Sequence, residues 1–315
     1  MIYLELGLSL VLLLGGGELL VRGAVSVARR LGVSPLLIGL TLVGFGTSSP
    51  ELVASLDAAL AGAPGLALGN VVGSNIANIL LILGFGAAIT PMRTTRDAFV
   101  RDGPVLLGAS VLLVGICFLE VIGRLVGVGF IALLLAYTLY TYRTETTAPD
   151  ASAAVHVAEA EVIGPVPPSL LTGLLLAAGG LFGVLFGAAF LVGAAIELAR
   201  LWGISEAVIG LTVVALGTSL PELATTAVAA YRRQADVAFG NIIGSNIFNI
   251  LGILGVTALV QPLRVDPAIA RFDAWVMLAV AGLGVTFALT GWRISRREGL
   301  VLLLAYAGYL LVLLT

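Results

Sequence analysis

Long apolar runs, broken by short charged or Pro/Gly-rich segments, fill the chain from one end to the other. A helix needs about 20 apolar residues to cross roughly 30 Å of hydrocarbon. Runs of that length predict ten membrane spans, at about 3–28, 33–60, 66–89, 102–119, 124–142, 169–199, 204–230, 236–260, 272–290 and 298–315. One connector is clearly polar: 143–168 carries Arg143, Glu145, Asp150, His156, Glu159, Glu161 and four prolines. The predicted class is an all-α integral membrane protein, with five-helix units at 1–142 and 169–315 joined by that loop. Met1–Gly23 has no basic start and no cleavage site, so it reads as the first span rather than a leader.

The polar positions inside the apolar runs repeat. Laid over Gly203–Gly255 without a gap, Gly32–Gly84 shows 28 identities in 53 positions. Shared apolar residues inflate such a figure, but polar ones do not. Of twelve polar residues in the first window, nine recur: Ser34, Thr41, Thr47, Ser48, Glu51, Asn70, Ser74, Asn75 and Asn78. The chain therefore contains a duplication with an offset of 171 residues. Five spans per unit is an odd number, so the second unit enters the membrane from the opposite side. Such inverted repeats place binding sites near the membrane midplane, where the two units meet.

Composition supports the membrane reading and removes other classes. Hydrophobic residues make up 59% of the 315 positions, charged residues 11%, and the mean hydropathy is +1.12. Soluble domains carry about 25% charged residues. All 16 basic residues are Arg, and a phosphate-cradling P-loop needs Lys, so nucleotide binding of that kind is excluded. A net charge of −2 gives no footprint for nucleic acid. Cys117 and His156, one of each, exclude the usual zinc spacings. Eleven Arg fall on one side of the ten-span scheme and four on the other. By the positive-inside rule, loop 143–168 is cytoplasmic and both termini face outward. That loop is too short for a folded sensing domain.

Two motifs carry the chemistry. Gly46-Thr47-Ser48-Ser49-Pro50-Glu51 is matched by Gly217-Thr218-Ser219-Leu220-Pro221-Glu222, each within a long apolar run. Proline has no N–H, so the carbonyls of Gly46 and Gly217 lose their helical donors. Backbone irregularity at membrane depth survives only against protein or a hydrated cavity. A single charge at the bilayer centre costs at least ~2.5 kcal/mol. Two glutamates with no Arg nearby in sequence therefore call for a cation. The second motif, Gly69-Asn70-Val71-Val72-Gly73-Ser74-Asn75-Ile76-Ala77-Asn78, is matched by Gly240-Asn241-Ile242-Ile243-Gly244-Ser245-Asn246-Ile247-Phe248-Asn249. Asn70, Ser74 and Asn78 share one helix face, and the glycine pairs let helices approach closely. Oxygen ligands suit hard cations such as Ca²⁺ and Na⁺. A lone Pro beside hydroxyls can mark only a kink, and Gly-xxx-Gly with Asn only a helix contact. Both motifs duplicated, with the glutamate in each copy, argue for a site instead.

These paired motifs resemble those of the Ca²⁺/cation antiporter superfamily, and the resemblance spans both repeats. It implies a Na⁺/Ca²⁺ exchanger-like protein of the prokaryotic type, with Glu51 and Glu222 as central Ca²⁺ ligands. It implies further oxygens from Thr47, Ser48, Thr218 and Ser219, and from the carbonyls of Gly44 and Ala215. Ser74, Asn78, Ser245 and Asn249 would complete the Ca²⁺ and Na⁺ sites, with no cofactor beyond the transported ions. Some members have Asp where Asn249 stands, so this chain offers two acidic ligands rather than three. A K⁺ requirement is correspondingly disfavoured. The expected mechanism is alternating access, with spans one and six sliding against the other eight. Proton-coupled cation antiport on the same fold is the competing reading, and a cation channel is a different class. Intramembrane protease signatures are absent.

Overall fold

The computed structural model describes residues 2–34, 38, 44–93, 96–147, 169–231 and 235–314, and these are overwhelmingly helical. Residues 35–37 and 39–43 of the second predicted span and most of the central loop, His156 included, lie outside the described residues. Among those described, seven helices are long and apolar enough to cross a membrane. The bent pair Glu206–Thr218 and Leu220–Tyr231, meeting at 43°, makes an eighth.

The first helix, α1 (Ile2–Arg30), is followed by α2 (Gly44–Thr47) and α3 (Ser49–Leu60). Next comes α4 (Pro64–Ala77), which continues through a π-helical turn at Asn78–Leu83 into α5 (Gly84–Ile89). Helices α6 (Arg96–Ile116) and α7 (Arg124–Thr147) end the first half. The second half runs α8 (Leu170–Trp202), α9 (Glu206–Ile209), a π turn, α10 (Ala215–Thr218) and α11 (Leu220–Tyr231). Then follow α12 (Ala235–Phe248), a π turn at Asn249–Ile253 and α13 (Leu254–Val260). The chain finishes with a π turn at Ile269–Asp273, α14 (Ala274–Leu289) and α15 (Arg296–Leu314). Local chemistry sets several ends. Ser205 caps α9 by accepting from the Val208 N–H at 3.2 Å. Ser295 and Glu298 exchange bonds as a capping box at α15, Glu298 accepting from the Ser295 N–H at 2.7 Å. Gly203, at φ +68°, ends α8 in the left-handed conformation.

Helices α1 and α8 pack antiparallel through glycines. Gly187 lies on Leu13, Gly16 on Gly183 and Val184, Gly180 on Leu20, and Gly23 on Ala177, so one number rises as the other falls. A Cβ on Gly16 would sit 2.7 Å from the Val184 nitrogen, which only glycine tolerates. Helix α1 also meets the motifs of both halves, and α8 that of the second. Val21 of α1 presses on Gly46, and Leu10 of α1 and Leu191 of α8 press on Gly217.

Two features depart from the expectation of bare helices and a polar connector. Two short antiparallel ladders join the helix connections: β1 (Met92–Arg93) pairs with β4 (Arg293–Ile294), and β2 (Val121–Ile122) with β3 (Leu263–Arg264). These tight connectors satisfy their exposed backbone groups on each other. Second, α7 runs on to Thr147, through residues expected in the loop, and Glu145 is buried at 1% exposure. The reason is Arg101, one turn into α6, which bonds Glu145 at 2.5 Å and Asp102 at 2.6 Å. Tyr137 donates to the same Asp102 at 2.8 Å. Removing the cation from such a cluster strands buried carboxylates, at a cost of about 3 kcal/mol or more. Arg101→Ala is therefore expected to lower the unfolding temperature of the detergent-solubilised protein clearly. An unchanged melting curve would show that the cluster contributes nothing to stability.

Candidate cation site

Each Pro-Glu motif breaks its helix two residues before its proline. Ser48 (φ −88°, ψ 11°) separates α2 from α3, and Ser219 (φ −83°, ψ 7°) separates α10 from α11. Both sit in the sparsely used bridge region. Pro50 begins the new helix, where its missing N–H costs nothing. The carbonyl that Pro50 deprives of a donor, on Gly46, accepts from Ser49 Oγ at 2.7 Å. The other copy has Leu220 in that place and lacks this hydroxyl.

The two breaks face each other and exchange partners. Ser48 Oγ donates to Glu222 Oε1 at 3.0 Å, and Ser219 Oγ donates to Glu51 Oε1 at 3.0 Å. Residues 48 and 51 become 219 and 222 under the repeat offset, so the same pair of residue types makes this contact twice. Glu51 is 1% exposed and Glu222 0%. On both, the second oxygen Oε2 is buried without a hydrogen-bond partner. A buried polar atom left unpaired costs roughly 1–3 kcal/mol, and more when charged. Two such oxygens, one from each half, fit an oxygen-seeking cation.

The second motifs supply the surrounding polar groups. Ser48 also lies 3.3 Å from Ser245 Oγ. Ser74 donates to Asn70 Oδ1 at 3.4 Å, and Thr218 donates to the same atom at 3.1 Å. Asn78 donates from Nδ2 to Asn246 Oδ1 at 3.0 Å, leaving its own Oδ1 unpartnered. Asn249 is buried with neither amide atom paired. The Gly44 carbonyl accepts from Thr47 Oγ1 at 3.3 Å, and the Ala215 carbonyl lies 3.4 Å from Thr218 Oγ1. Immediately after each motif the helix widens into a π turn, at Asn78–Leu83 and Asn249–Ile253. Such turns recur at functional sites. One element has no counterpart: Phe45 and Phe248 stack with centroids 4.4 Å apart, whereas their mates are Leu216 and Ala77.

Glu18 and Arg22, four residues apart on α1, pair at 2.5 Å on an exposed face, apart from this cluster. Among the described residues, no three His, Cys, Asp or Glu side chains come together as a metal group. The residues to which sequence reasoning gave no role in the site are Asn70, Ser55 and Asn246. Asn70 and Asn246 were visible as recurring polar positions, whereas Ser55 was hidden because its mate is Thr226.

Apolar helices closed around a pair of buried carboxylates define a membrane protein that handles ions. Comparison with known proteins gives the family. The model for sodium/calcium exchanger proteins matches residues 2–143 and 172–315. The sodium/calcium exchanger MaX1 of Methanosarcina acetivorans is 36% identical over 346 residues, covering 99% of this chain and 98% of its own. CaxA of Alkalimonas amylolytica, a candidate antiporter, is 40% identical over 307 residues, covering 96% and 95%. Among solved structures, the sodium-calcium exchanger NCX_Mj soaked with 10 mM Na⁺ and 10 mM Sr²⁺ matches with a TM-score of 0.66 and 33% identity, over 98% of this chain and 97% of that one. The chain belongs to the sodium/calcium exchanger family: it is a multi-pass membrane protein and a cation antiporter.

Proposed function

We propose that this antiporter exchanges Ca²⁺ for Na⁺ at one central site by alternating access. The observation that carries the reading is the reciprocal pair of serine–glutamate bonds, which leaves one free carboxylate oxygen per half at the centre. One Ca²⁺ or two Na⁺ neutralise Glu51 and Glu222. Hydroxyls of Thr47, Ser48, Thr218 and Ser219 add oxygens, with Ser74, Asn78, Ser245 and Asn249 around them and the Gly44 and Ala215 carbonyls beside the breaks. Left empty, the site would hold two uncompensated charges at roughly 2.5–3.5 kcal/mol each on the mildest scale. The carrier therefore crosses loaded with one ion or the other, which makes it an exchanger rather than a leak.

The architecture we infer is ten spans in two inverted units, 1–142 and 169–315, with both termini outside and 143–168 cytoplasmic. The antiparallel course of α1 and α8, the first helix of each unit, supports the inversion. The ladders support it too: the β1–β4 ladder joins two connectors assigned to the cytoplasmic side, and the β2–β3 ladder joins two assigned outside. Names of the relatives MaX1 and NCX_Mj favour Na⁺ and Ca²⁺ as the exchanged pair.

The test is ⁴⁵Ca²⁺ uptake into vesicles holding the purified protein, with Na⁺, K⁺ and H⁺ gradients imposed one at a time. Uptake is expected with an outward Na⁺ gradient alone. Uptake driven by a pH gradient without Na⁺ would replace Na⁺ by protons, and single-channel currents would overturn the carrier reading itself.

A further inference from the structure

We propose that Asn70 is a positioning residue that turns hydroxyl hydrogens away from the cation and anchors the main chain of Glu51. Asn70 is fully buried. All four of its hydrogen-bonding positions are filled. Its Nδ2 donates to the Glu51 carbonyl at 3.2 Å and to Ser55 Oγ at 2.9 Å. Its Oδ1 accepts from Thr218 Oγ1 at 3.1 Å and from Ser74 Oγ at 3.4 Å. A main-chain carbonyl can only accept, so the Glu51 contact fixes which end of the amide is NH₂. The oxygen end then points at two hydroxyls that are both candidate ligands.

That orientation matters because a hydroxyl serves a cation only through its lone pairs. Ser and Thr hydroxyls rotate, and one whose hydrogen faces the ion repels it. Thr218 has a single hydrogen and two competing main-chain acceptors, the Val214 carbonyl at 3.0 Å and the Ala215 carbonyl at 3.4 Å. Asn70 offers both hydroxyls a side-chain acceptor for their hydrogens, leaving their lone pairs free for a cation. The same side chain joins α3, α4 and α10, so it also sets where Glu51 stands relative to those oxygens. Supporting groups of this kind orient first ligands in metal sites generally.

The repeat mate is built differently. Asn241 Nδ2 and Thr226 Oγ1, the mates of Asn70 Nδ2 and Ser55 Oγ, are both buried and unpartnered. Thr47, the mate of Thr218, bonds the Gly44 carbonyl just as Thr218 bonds that of Ala215, so the contacts to Asn70 are what set the first copy apart. Duplication of the sequence alone therefore does not generate this hub.

The inference rests on the Ca²⁺-site reading above, and the experiment separates the two. Apparent KM for Ca²⁺ and maximal rate are measured in vesicles for Asn70→Leu, Ser55→Ala, their double variant and Glu51→Gln. Asn70→Leu is expected to raise KM about tenfold, the scale of one lost hydrogen bond, with the maximal rate kept within about twofold. Ser55→Ala, a small change at a residue not proposed as a ligand, is expected to raise KM about threefold by loosening Asn70. In the double variant Ser55→Ala adds nothing further. Losses that add, or an unchanged KM in Ser55→Ala, would overturn the role of Asn70. The Ser55→Ala arm decides alone if Asn70→Leu fails to fold. If Glu51→Gln left Ca²⁺ transport intact, the site reading itself would fall, whatever Asn70 does.

Discussion

Glu51→Gln and Glu222→Gln are each expected to cut Na⁺-dependent ⁴⁵Ca²⁺ uptake by at least about a hundredfold, to the background of empty vesicles. The substitution is conservative in shape. A glutamine Oε1 can still accept from Ser219 or Ser48, so the reciprocal bonds that hold the breaks together survive. What changes is charge. With one carboxylate left, Ca²⁺ would stand in a buried site with one positive charge uncompensated. Stranding a charge in this way costs about 3–5 kcal/mol, and each 1.4 kcal/mol is tenfold in affinity. Ser219→Ala, which removes one hydroxyl donor to a carboxylate but keeps both charges, should cost less, about tenfold. Equal losses in Ser219→Ala and Glu51→Gln would mean that helix geometry rather than site charge sets transport. Retained exchange in both glutamine variants would sink the two-carboxylate site.

The site was legible in the sequence because polar residues inside apolar runs have few structural reasons to recur. Pro50 and Pro221 marked the breaks to within two residues, since a missing N–H acts locally. Burial of Glu145 was not legible. Its partner Arg101 lies 44 residues away, on the next helix, and an acidic residue after an apolar run reads as the start of a loop. Asn70 was recognised as part of a polar face, but its partners Ser55 and Thr218 lie 15 and 148 residues off. The π turns after Asn78 and Asn249 have no residue signature of their own. Asymmetry was the least legible feature. Repeats identical at nine polar positions predict mirrored bonds, yet Asn78–Asn246 forms while its mates diverge: Asn75 bonds the Val71 carbonyl and the Asn249 side-chain amide is unpaired. A carrier that opens to one side at a time must break its symmetry in every end state.

Gly180→Leu is expected to slow exchange at least about tenfold while leaving Ca²⁺ affinity within about threefold. A Cβ at Gly180 would fall onto the main chain of Leu20 and 2.6 Å from the Gly16 carbonyl oxygen. Backbone cannot rotate aside as a side chain can, so α1 and α8 must part. Overpacking of this kind costs about 1–3 kcal/mol, or roughly five- to a hundredfold in an equilibrium. Neither helix carries a candidate ligand, so if α1 and α8 slide to switch access, the penalty falls on that movement rather than on the ion. Gly179→Leu is the control. The adjacent Gly179 is exposed, with nothing within 4 Å of its Cβ. Rates and isothermal titration on the two variants separate the cases. A Gly180 variant that exchanges as fast as the Gly179 variant would show that α1 and α8 need not stay in contact for access to switch. A Gly180 variant that loses Ca²⁺ binding as well would place these helices in the support of the site, and the sliding mechanism would have to move elsewhere in the bundle.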